Sequence, residues 1–155
     1  MKRIIFTLML LAGTFAAFAQ NRQLERLAGE EGISYVYVSK AMLSMISGQG
    51  SNTNINGVNV SDMADKLNSF QVVSASTADA VQRLRSEAGN LSTGNMEVLM
   101  QVVEENNRVN FYTLKQGDII TDLLMISDSG DEMTILQIQG RFTSQDIQKI
   151  AEATK

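Results

Sequence analysis

The side chains in this chain that could do chemistry are thioethers, carboxylates and phenols. Met42 and Met45 lie three apart in Lys40 to Ile46 (KAMLSMI), a spacing that puts both on one side of a helix. Thioethers bind Cu(I), but such sites are usually completed by imidazole or thiolate, and the chain has 0 His and 0 Cys. Packing is the expected use of Met42, Met45, Met63, Met96, Met100, Met125 and Met133, since each lies in an apolar stretch where a flexible side chain fills gaps. Asp128, Asp131 and Glu132 crowd one connector, and calcium takes several carboxylates. Their spacing fits no EF-hand loop, and Asp and Gly are ordinary turn residues, so a hairpin turn is expected there. Asp62, Asp65 and Asp122 are acids on which a hydrolase could draw, which requires two carboxylates converging in one cleft. Tyr35 and Tyr37 share one face of a strand, expected to be core or cross-strand pairs. If that face is exposed, it reads as a protein-binding patch. No catalytic, cofactor-binding or metal-binding residue is assigned, and no cofactor is expected.

The missing residue types exclude more than the present ones suggest. Without His or Cys there is no Ser-His-Asp or Cys-His nucleophile and no zinc site of imidazole and thiolate. No lysine follows a serine by three residues, so a Ser-x-x-Lys dyad is absent too. With 0 Pro, tight turns must come from Gly, Asn and Asp.

The elements that position these residues are legible from periodicity. Arg22 to Gly29 reads as a short helix with Leu24, Leu27 and Ala28 on one side, and Ile33 to Val38 (ISYVYV) as a strand. Lys40 to Ile46 follows as a short apolar helix. Ser47 to Ser61 (SGQGSNTNINGVNVS) is a Gly-, Ser- and Asn-rich surface loop, or a binding loop if it is functional. Met63 to Leu67 reads as a helical turn and Phe70 to Ser74 as a strand. Ser76-Thr77-Ala78-Asp79 is a capping box opening a helix with Val81, Leu84, Ala88 and Leu91 on one stripe, Arg83 and Arg85 falling off it.

From Met96 onward the pattern is β. Met96 to Val103, Arg108 to Lys115, Ile119 to Ser127 and Met133 to Phe142 are joined by short polar connectors, which predicts an antiparallel meander. In the last strand Thr134, Leu136, Ile138 and Phe142 share one parity, expected to be buried, and Gln137, Gln139 and Arg141 the other, expected to be wet. Thr143-Ser144-Gln145-Asp146 is a second capping box, opening a helix with Ile147, Ile150 and Ala151 as its stripe. The expected class is α+β: a mostly antiparallel sheet with a C-terminal four-strand meander and two to three helices on one face. A ferredoxin-like or cystatin-like arrangement fits, while strand order is not readable.

Residues 1–19 carry a secretory pattern. Lys2 and Arg3 precede an apolar run ending in Ala17-Phe18-Ala19, a small-residue cleavage signature. The run is shorter than the ~20 residues of a membrane span. The expected organisation is a signal peptide over 1–19 and one α+β domain over 20–155, periplasmic or extracellular. Of 13 basic and 17 acidic residues, the leader takes Lys2 and Arg3, deepening the net charge from −4 to −6. An acidic surface disfavours nucleic acid and anionic lipid as partners.

At the unit SYVYVSKAML and the closing segment MTILQIQGRFTSQDIQKIAEA, the chain resembles domain of unknown function 4252, a family of small exported Bacteroidota proteins. The resemblance covers most of the mature chain in element order and brings no catalytic positions with it. The placing of such genes near sigma-factor and anti-sigma regulators implies an accessory to envelope sensing or signalling. The reading is therefore a non-enzymatic module that binds another envelope protein, offering sheet edges for β-addition. The alternative is a small-ligand or metal-binding periplasmic protein closed by the Ser47 to Ser61 loop, with a carboxylate-dependent hydrolase third.

Overall fold

The computed structural model describes residues 23–47, 54–55, 58–59, 65–91 and 93–146. The expected leader at 1–19, most of the 47–61 loop, Asp62, Met63 and the stripe Ile147, Ile150 and Ala151 lie outside the described residues.

Runs of β-branched and aromatic residues become strands wherever a short polar connector lets the chain reverse. The strands are β1 (Ile33–Ser39), β2 (Asn54–Ile55), β3 (Val58–Asn59), β4 (Leu67–Ala75), β5 (Glu97–Val103), β6 (Arg108–Gln116), β7 (Ile119–Asp128) and β8 (Met133–Phe142). The helices are α1 (Lys40–Ser47) and α2 (Ala78–Asn90). Six strands form one antiparallel sheet in the order β1-β4-β8-β7-β6-β5, and β2 and β3 pair separately. The meander β5 to β8 is as expected, with Gly117 (φ 64) turning β6 into β7.

Three local readings change. The 47–61 segment contains the β2–β3 ladder, with Ile55 opposite Val58. Leu67 belongs to β4 rather than to a helical turn, because it pairs with Gly140 across a bulge. Near the start, 23–25 is helical among the described residues. It passes into tight turns in which Leu27 N–H donates to Leu24 O, so Leu24 and Leu27 are buried but Ala28 is exposed.

The helices do not share a face, which corrects the expected one-sided packing. α2 sets Ala80, Val81 and Leu84 into a core with Leu24, Leu27, Val73, Ile135 and Leu124. α1 puts Leu43 into a second cluster with Leu67, Ile120 and Phe142, joined by Val38, Leu123 and Ile138. Val38, Leu123 and Ile138 alternate with the residues under α2, so α1 lies on the opposite side of the sheet.

Caps fix the helix starts. The N-cap of α2 is Thr77, one residue later than the Ser76 pattern implies, its Oγ1 accepting from Ala80 N–H at 3.4 Å. Gly32 (φ 78) runs close beneath that hydroxyl, where a Cβ would collide with Thr77. The second capping box forms as expected. Thr143 N–H donates to Asp146 Oδ2 at 2.8 Å, and Asp146 N–H donates back to Thr143 Oγ1 at 3.4 Å.

Lys66 also donates to Asp146. The Lys66 ammonium first, then the Thr143 amide and hydroxyl, hold the Asp146 carboxyl down at about 2 from 3.8. A depressed folded value means this stabilisation is present above the unfolded value and is lost as pH falls. The stability gap between wild type and Asp146→Asn is expected to close as pH drops from 3.8 toward about 2 in urea titrations. A gap constant with pH would refute the assignment.

Candidate functional site

β5 is an outer strand of the sheet and the least protected element in it. Its sequence EVLMQVV holds no lysine and no proline, two residues that natural edges use to repel added strands. Val98, Leu99, Met100 and Val103 are 62%, 46%, 48% and 60% exposed. The one charge, Glu97, accepts from Lys115 at 2.7 Å. Leu99 is the extra residue of a bulge between Val98 and Met100. Among the described residues β5 pairs with β6 on one side only, so it presents a line of backbone donors and acceptors on the other. The opposite edge, β1, shows half-exposed Val36 and Tyr37, while Tyr35 turns inward and its hydroxyl donates to Gln71 Oε1 at 3.2 Å. Tyr35 and Tyr37 share a face as read, but only Tyr35 joins the core. Burial, then the Glu25 carboxylate and Tyr37, push the Tyr35 phenol upward.

The face under α2 carries a buried polar ladder. Gln71 and Gln137, both nearly fully buried, sit opposite each other, and Gln71 Nε2 donates to Gln137 Oε1 at 2.6 Å. One row along, Ser69 donates to Gln139, whose Nε2 donates to Asp122 Oδ1 at 2.8 Å. Thr121 donates to the other Asp122 oxygen at 2.9 Å. This reverses the expected wet side of β8 at Gln137, which lies in register with Met133 and Ile135 on the buried face, while Arg141 is exposed and Phe142 buried as expected. Amides can be buried there because facing strands supply amide partners. Gln71→Leu strips partners from Tyr35 and Gln137 and is expected to cost about 1–3 kcal/mol in urea unfolding. Adding Gln137→Leu should recover part of that loss; fully additive costs would show the pair is not coupled.

The other candidate residues do not converge. Both Asp122 oxygens are occupied by the ladder, and Asp65 lies in the turn before β4. Asp128 forms a two-pronged pair with Arg85 at 2.7 and 2.8 Å, and Arg85 with the Gly130 amide draws its carboxyl below the usual range despite partial burial. Asp131 and Glu132 are exposed in the β7–β8 turn, and no cluster of three metal-ligating side chains occurs among the described residues. Met42 and Met45 are 51% and 66% exposed on α1, against the packing expected of them, whereas Met133 does fill the core. A cleft of about 230 Å³ opens between the β5–β6 and β7–β8 turns, lined by Glu104, Asn107, Arg108 and Asp128.

Among the described residues no helix is long and apolar enough to cross a membrane. No curated protein and no solved structure matches the chain. The profile of the family described as Domain of unknown function (DUF4252) matches residues 26–150, and the chain belongs to that family.

Proposed function

We propose that this family member is an exported, non-enzymatic protein-binding module of the cell envelope, whose β5 edge takes an extended segment of another envelope protein as an added strand. The observation that carries the reading is the exposure of Val98, Leu99, Met100 and Val103 on an edge that no strand among the described residues pairs. In strand addition the edge backbone supplies affinity and alternate side chains supply specificity. The apolar, nearly charge-free composition of β5 selects an apolar, extended partner segment. The leader pattern at Lys2 to Ala19 supports placing the encounter in the periplasm or outside the cell. The absence of His and Cys supports a non-enzymatic role, as does the engagement of Asp122 and Asp128 in structural bonds. An accessory role in envelope sensing or signalling accords with such a module.

The test places a photo-crosslinking residue in turn at each position from 98 to 103, in cells. Strand addition produces one dominant adduct with yields alternating along β5. Uniform yields, or an adduct formed equally from the α2 surface at Gln82, would reject it.

A further inference from the structure

The face opposite α2 carries a second surface, which meets the β5 edge at Met100 and Val102. Cross-strand register lines up one apolar side chain from every strand: Val36, Val72, Leu136, Met125, Phe111 and Met100. The next row along the strands is Ser34, Ser74, Thr134, Ser127, Val109 and Val102. One row is large and the other small, and neither holds a charge, in a chain of net charge −4. Val36 and Met100, at the two ends of the large row, are 47% and 48% exposed. α1 packs beside the row of Val38 and Ile138, and between the exposed ends Val72, Leu136, Met125 and Phe111 are half-buried.

We propose that this face binds a second copy of the same chain, sheet against sheet. Two observations select that occupant. Like-charge repulsion between two acidic copies is least where the facing surfaces carry no charge, and these rows supply such a surface. The rows are also self-complementary. A two-fold axis running between them, along the sheet, sets each large side chain of one copy over a small one of the other: Leu136 over Thr134, Met125 over Ser127, Phe111 over Val109. Sheets packed about 10 Å apart interlock in this way. Six strands about 4.8 Å apart and two rows about 6.7 Å apart cover about 400 Å² per copy. The total of about 800 Å² is below the standard size of a specific interface and fits a weak, transient dimer.

Sedimentation of the purified chain over a range of concentrations tests this, with circular dichroism confirming the fold of each variant. Wild type is expected to pass from monomer to dimer as Met125 and Met100 become protected from peroxide oxidation. Met125→Glu should abolish the dimer. Ser127→Leu, which makes the face more apolar but fills the small row, should weaken it roughly tenfold. Val98→Lys, across Tyr112 on the α2 side, should leave it intact. A wild type monomeric at every concentration overturns the proposal, including the case where Met125 is shielded in the monomer by residues 147–155. So does a dimer indifferent to Met125→Glu, or one tightened by Ser127→Leu, which would show unspecific adhesion. If Met125→Glu fails to fold, Ser127→Leu and the wild-type oxidation pattern decide alone.

Discussion

Replacing Gly140 by valine is expected to lower the melting temperature by at least about 10 °C, corresponding to about 3 kcal/mol or more. A Cβ at this position would fall inside the carbonyl oxygen of Lys66 and within 2.5 Å of Phe142 Cζ. Neither neighbour can yield cheaply. The Lys66 carbonyl accepts the Arg141 amide at 2.9 Å, and Phe142 is fully buried against Leu43, Leu67 and Ile120. The backbone comes this close because β4 bulges between Leu67 and Ser69, bringing the chain before it down onto β8. Gly89 is the control: it lies in α2 with open space around it, so Gly89→Ala should stabilise by about 0.5–1 kcal/mol. Scanning calorimetry of the two variants reads both signs. A Gly140→Val chain melting with the wild type would mean that the close approach is not a feature of the folded protein.

The second large effect concerns binding. Val98→Lys combined with Val103→Lys is expected to cut capture of the partner at least about tenfold while leaving the melting temperature within about 2 °C. Both side chains are already mostly in solvent, so lysine removes little packing from the monomer. On an added strand, the same lysines would have to be desolvated against apolar side chains. The readout is adduct yield from a crosslinker at Gln101, which sits between the two substitutions. Undiminished yield from a folded double variant would remove β5 as the binding edge, whatever the oligomeric state of the chain.

The sequence showed the elements far better than it showed their surroundings. The four strands of the meander were legible because connectors such as Gly117-Asp118 are too short for anything but a hairpin. The stripe of α2 was legible because Val81 and Leu84 repeat at helical spacing. Which side of β8 faces the core was not. Gln137 reads as a solvated residue until Gln71 is known to lie opposite it, and that pairing joins distant parts of the chain. The strand itself pointed the other way: Gln71 shares parity with Val73 in FQVVS, while Phe70 and Val72 make the opposite parity the more apolar one. The site itself could not be read in advance. Val98 and Met100 look like core residues, and only the strand order, which leaves β5 outermost, puts them in solvent. The side chosen by α1 was hidden for a related reason, since a helix following β1 directly can fold to either face and the packing of Leu43 decides.

The strand order also bears on how the sheet assembles. β5 to β8 pair with their sequence neighbours, and β1 with β4 forms a separate ribbon. A single junction, residues 67–75 against 133–140, joins the two. Closing it orders the longest stretch of chain for its contacts, so it is the step with the greatest loop entropy and the natural last event in folding. Until it closes, β4 and β8 are bare edges alongside β1 and β5, and the molecule presents four unpaired strands instead of two. The interval before closure is therefore when one chain is most exposed to exchanging its meander with another.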